Sequence, residues 1–118
     1  MDRWYTATLL SLIAHQIDAA FWHEWEMFRV PGGIQGFLVF NAVAVGILLH
    51  GYQHVVLRTP NARRYALLCG GMGVLTALLH AGFALAGRQE FHLPLSIATI
   101  IACLMTGSML VFKALKSR

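Results

Sequence analysis

The sequence predicts an all-α integral membrane protein, a single four-helix bundle with up-down-up-down topology. Three observations predict it. First, 58% of the 118 residues are hydrophobic and 12% are charged, against about 45–50% and about 25% in a typical soluble domain. Second, residues 30–57, 65–87 and 91–112 contain no Asp, Glu, Lys or Arg. Each stretch supplies the ~20 apolar residues a membrane-crossing helix needs. Third, the connectors are short, which makes consecutive helices antiparallel neighbours. A chain of this length holds one domain, residues 1–118. The mean hydropathy of +0.63 excludes disorder and an ordinary soluble enzyme.

The first helix is placed at about residues 4–27. Residues 4–17 are free of charge, but 14 residues at 1.5 Å each reach only about 21 Å of a hydrocarbon core about 30 Å thick. A full crossing therefore includes Asp18. Trp4 and Tyr5 at one end, and Trp22 and Trp25 at the other, are spaced as two interfacial aromatic belts. Residues 6–14 resemble a signal-peptide core, but His15-Gln16-Ile17-Asp18 offers no small-residue cleavage site, so the segment is read as retained. Pro31, Gly32 and Gly33 turn the chain into a second helix at 34–57. Pro60 and Asn61 mark the turn into the third, at 64–87. Gly87 and Pro94 bound the connection to the fourth, at 93–114.

Charge sets the orientation. Arg3, Arg58, Arg63, Arg64, Lys113, Lys116 and Arg118 fall at one end of the bundle, and Arg29 and Arg88 at the other. The positive-inside rule puts the first group, with both termini, in the cytoplasm, and the expected location is a bacterial inner membrane. The net charge of +4 and pI near 9.6 thus reflect membrane orientation. No nucleic-acid partner is expected. Cys69 and Cys103 lie in apolar runs without metal-finger spacing, and their reckoned depths differ by about 12 Å, which argues against a disulfide.

At 100° per residue the first helix gathers Thr8, Ser11, His15, Asp18, Trp22 and Glu26 on one stripe. Glu24 falls on the opposite side and is expected to be solvated, like Glu26 beside Arg29. Depth then selects partners for the stripe. Asp18 and His15 lie about 12 and 16 Å from the outer boundary, and Asn41, His80 and Thr99 about 9–10 Å from it. The expected cluster is therefore His15, Asp18, Asn41, His80 and Thr99, with Trp22 and Glu26 toward its mouth. Small residues facing each other on the third and fourth helices, among them Gly73 and Gly107, are expected to let those helices pack closely.

An ionisable group at membrane depth costs about 2.5–3.5 kcal/mol on insertion scales, whereas one interhelical hydrogen bond returns about 0.6–2 kcal/mol. That imbalance points to a functional use, and three chemistries fit. The cluster binds an apolar or amphipathic ligand through Trp22, Glu26, Asn41 and Thr99, or serves a larger membrane complex. Alternatively Asp18, with His15 or His80, is an acid–base pair acting on a lipophilic substrate. In the third reading His15, Asp18 and His80 hold a metal. Bis-histidine haem would pair His15 with His80, and a depth mismatch of about 6 Å weighs against it. The cofactor itself is not specified by any of these residues. For His50 and His54, an i, i+4 pair near the headgroups, a solvated role is expected.

The stretch His15-Gln16-Ile17-Asp18-Ala19-Ala20-Phe21-Trp22-His23-Glu24-Trp25-Glu26-Met27-Phe28, followed by Val30-Pro31-Gly32-Gly33-Ile34-Gln35, resembles a bacterial family of small four-helix membrane proteins of unknown function. The likeness is strongest over residues 15–35, and the remainder matches in hydrophobic layout. It implies the four-helix architecture and carries no mechanism. A looser likeness, in architecture alone, is to small multipass isomerase-type proteins with intramembrane His and acidic residues.

Overall fold

The computed structural model describes residues 1–29, 31–87 and 93–117. Arg88 and Arg118, used above in the charge count, lie outside the described residues. The described chain is helical throughout its ordered elements: α1 (Asp2–Phe21), α2 (Glu24–Met27), α3 (Gly33–Val56), α4 (Ala62–Leu85) and α5 (Pro94–Lys116). Three of them, α3, α4 and α5, are long and apolar enough to cross a membrane. The expected first helix of 4–27 is here two elements. α1 stops at Phe21, and His23 adopts a left-handed conformation (φ 55°) that turns the chain before the single turn of α2. No Pro or Gly marks this break, so helical periodicity ran through it unseen.

The other ends follow ordinary chain chemistry. Asp2 sits in the first turn of α1, where a carboxylate complements the helix dipole. Gly32 (φ 87°) opens α3 and Gly87 (φ 91°) closes α4, both in the left-handed region that glycine tolerates. Pro94 occupies the start of α5, where its missing N–H is not needed.

α4 and α5 pack most extensively, and their contact is built from small residues. A Cβ on Gly70 would stand 2.8 Å from the Gly107 carbonyl oxygen, and one on Gly107 would stand 2.7 Å from the Gly70 carbonyl oxygen. Backbone therefore meets backbone here, as close helix packing in membranes requires. α1 lies against α5 and also touches α3 and α4; among the described residues α3 reaches α1, α2 and α4 but not α5. Cys69 and Cys103 are both free and buried. Gly73, one turn from Cys69, packs on the Cys103 carbonyl, so the two cysteines sit nearer in height than the reckoned 12 Å.

A buried hydrogen bond near the start of α1 ties it to α3. Buried Tyr5 donates its hydroxyl proton to the Leu48 carbonyl, and the same hydroxyl fills the space left by Gly51. Tyr5→Phe is expected to lower stability by about 1 kcal/mol, read as a lower melting temperature of the purified chain in detergent. An unchanged melting temperature would show that the bond contributes nothing.

At one end Met1, Asp2, Arg58, Arg63, Arg64 and Ser117 border a single polar cleft of about 850 Å³. There Arg63 Nε donates to the Ala114 carbonyl at 3.1 Å. Both ends of the described chain and the α3–α4 connection thus share one end of the molecule.

Candidate functional site: a buried His–Glu–His cluster beside an apolar cavity

The turn at His23 positions the site. In an unbroken helix the nine residues from His15 to Glu24 rotate the side chains about 180° apart. The left-handed residue reverses that outcome. It folds α2 back so that Glu24 points inward, only 6% exposed, between His15 (1%) and His80 (6%). Trp25 holds α2 in place by packing on Phe37 of α3, and Phe28 meets Phe83 of α4 edge-on, each with ring centroids 5.3 Å apart.

Glu24 Oε1 lies 3.3 Å from His80 Nε2, and Glu24 Oε2 lies 3.8 Å from His15 Nε2. The two imidazoles meet edge to face, with centroids 4.5 Å apart. One ligand atom from each of the three residues falls within 4.8 Å of the others, and all three residues are buried. His15 and His80 are therefore level, and the depth mismatch used against their pairing does not hold. The reason is the helix break. Depth on the first helix was counted from Glu26, but α1 ends five residues earlier, which moves the reference by about 7.5 Å.

The remaining expected residues go elsewhere. Asp18 is half-buried, and its Oδ1 accepts the Trp22 indole N–H at 3.0 Å; the potential ligand cluster contains Glu24 in its place. Glu26 is 71% exposed and faces the exposed His23 at 3.9 Å, not the mouth of the cluster. Thr99 donates to the Ser96 carbonyl within its own helix. Asn41 lines the cavity beside the cluster, where its Oδ1 accepts from Gln16 Nε2 at 2.8 Å and its Nδ2 donates to the Phe37 carbonyl. Two residues were missed, Glu24 and Gln16. Glu24 was hidden by the break. Gln16 was hidden because it lies beside the polar stripe and is uncharged.

The cavity itself holds about 300 Å³ and lies among α1, α2, α3 and α4. Leu9, Leu12, Phe37, Leu48, Met72 and Leu79 give it an apolar wall. Gln16, Asn41, Thr76 and Glu24 place polar groups at its edge. Glu24 thus belongs to both the cavity and the His cluster. At the other end of α3, His50 and His54 face each other (Nε2 to Nε2, 3.2 Å), and His54 Nδ1 meets Thr59 Oγ1 at 2.7 Å.

Fold and site together define a small all-helical protein with three apolar helices of membrane-crossing length and a buried carboxylate between two imidazoles. Residues 1–117 match the family of unknown function DUF6713, and the chain belongs to that family. No curated protein and no solved structure matches it.

Proposed function

We propose that the chain is a multipass protein of a bacterial inner membrane, a four-helix up-down-up-down bundle with both termini cytoplasmic, that binds an apolar or amphipathic small molecule in the cavity among α1, α2, α3 and α4. The cavity carries this reading. Its volume is at the lower edge of the ~300–1,000 Å³ typical of small-molecule sites, and it combines apolar walls with a few convergent polar groups, as such sites do. The membrane setting is supported by the outer faces of the long helices. Leu38, Val43 and Ile47 on α3, and Ile101, Met105 and Phe112 on α5, are exposed, far more apolar surface than a soluble monomer presents to water. α1 has 20 residues and is about 30 Å long, the thickness of the hydrocarbon core. The basic residues grouped at the polar cleft support the cytoplasmic placement of both termini. Lipid is then the first partner of the chain, and a membrane-protein partner is compatible with the same exposed faces.

The test starts from carbonate-washed membranes. The protein is expected in the membrane pellet, and native mass spectrometry of the purified chain is expected to show a bound small molecule. Ala44 lines the cavity, and Ala44→Phe fills part of it. Occupancy is expected to fall at least about fivefold in that variant, equivalent to about 1 kcal/mol. A protein that washes off, that carries no small molecule, or that retains it equally in Ala44→Phe, overturns the reading.

A further inference from the structure

The geometry points to a divalent transition-metal site formed by His15, Glu24 and His80. It stands apart from the cavity reading, since it needs the cluster and not the occupant of the cavity.

Distance is the first argument. A charge-assisted N–H···O bond closes to about 2.7–2.9 Å. Two donor atoms that share a tetrahedral ion at about 2.1 Å stand about 3.4 Å apart. Glu24 Oε1 is 3.3 Å from His80 Nε2, Glu24 Oε2 is 3.8 Å from His15 Nε2, and one donor atom of each residue lies within 4.8 Å of the others, so small side-chain shifts close the three ligands on one ion. The residue types are the second argument. Two imidazoles and one carboxylate form a donor set suited to zinc or iron(II), and a poor one for calcium or magnesium, which take oxygen ligands. A buried carboxylate is costly unless its charge is balanced, and a dication held by all three residues balances it. The third argument is the backbone. A left-handed non-glycine residue costs of order 1–3 kcal/mol, and such residues cluster where function requires them. His23 is one of three such residues, with Arg29 and Arg58, among the described ones, and it is the one whose turn brings Glu24 onto the two imidazoles. Among the described residues three ligands are at hand, so a four-coordinate ion has a position for one further donor. Glu24 also borders the apolar cavity, which places that ion beside the cavity's occupant.

The full chain, purified in detergent and stripped with chelator, is titrated with Zn(II) by calorimetry and with Co(II) in the visible spectrum. One ion per chain is expected, with the intense d–d bands of four-coordinate cobalt. The melting temperature is expected to rise with Zn(II) and fall again with chelator. Glu24→Gln and His80→Gln are each expected to weaken binding about 100-fold or more. Glu24→His supplies a ligand in place of the lost one, so it is expected to bind with an altered cobalt spectrum; this variant decides the matter where Glu24→Gln fails to fold. The double variant His50→Gln, His54→Gln is expected to keep the site, as is Ala44→Phe, which separates this result from that of the cavity. Absence of stoichiometric binding, loss of the ion in the His50, His54 double variant, or an unaltered cobalt spectrum in Glu24→His each overturns the proposal.

Discussion

Gly73→Leu is expected to separate α4 from α5 and to leave the chain without a stable fold. A Cβ at Gly73 would stand 2.7 Å from the Cys103 carbonyl oxygen and 3.1 Å from Thr8 Cγ2. The first of these atoms is backbone and has no rotamer by which to move away. Overpacking a well-filled core costs about 1–3 kcal/mol. Leucine adds three carbons beyond that already overcrowded Cβ, so a loss at or above the upper end of the range is expected. Gly71, two residues away on the same helix, is the control. A Cβ there meets nothing within 4 Å, and Gly71→Ala is expected to be neutral or to stabilise the helix by up to about 1 kcal/mol. Denaturant unfolding of both variants in detergent, followed by circular dichroism, measures the difference. Equal midpoints would mean that the α4–α5 contact is not the close one described.

Glu24→Lys is expected to be the most damaging change of a single charge in the first thirty residues. It places a cation between two buried imidazoles and removes the carboxylate they face. Breaking a buried pair by removing one partner costs about 3–5 kcal/mol. Glu26→Lys, two positions on, alters a side chain that is 71% exposed, and its expected cost is within about 0.5 kcal/mol. Thermal melts of the two variants compare them directly. A Glu24→Lys protein as stable as Glu26→Lys would remove the buried cluster from the account.

Those two glutamates also mark the boundary of what was legible in the sequence. The all-helical class and the three long apolar helices were legible because each depends on a run without charge, and a run needs no partner to be recognised. α3 runs from Gly33 to Val56 and α4 from Ala62 to Leu85, against expected bounds of 34–57 and 64–87. His15 and His80 were legible as members of one cluster, because a polar residue at depth on two helices has few places to go. Helical phase points to Asp18 as the carboxylate of that cluster, and phase holds only while the helix is unbroken. The turn at His23 carries no glycine, proline or cap residue that would announce it. Tertiary packing, Trp25 on Phe37 and Phe28 on Phe83, fixes a conformation that local propensity would not choose. Asn41 was expected in the cluster, but its pairing with Gln16 was missed for a different reason. Their bond joins two helices, and the rotation of one helix against another is not written in the periodicity of either.

The left-handed turn at His23 also has a kinetic side. By returning Glu24 to His15 it closes a loop of only nine residues, and loop-closure entropy grows with the logarithm of loop length. That half of the cluster is local in sequence, although the turn that closes it is held by Trp25 on Phe37 and Phe28 on Phe83. His80 joins it from α4, 56 residues beyond Glu24, across a separation that slows folding. The same packing of Trp25 on α3 and of Phe28 on α4 that fixes the turn therefore ties the near contact, like the far one, to the docking of those helices.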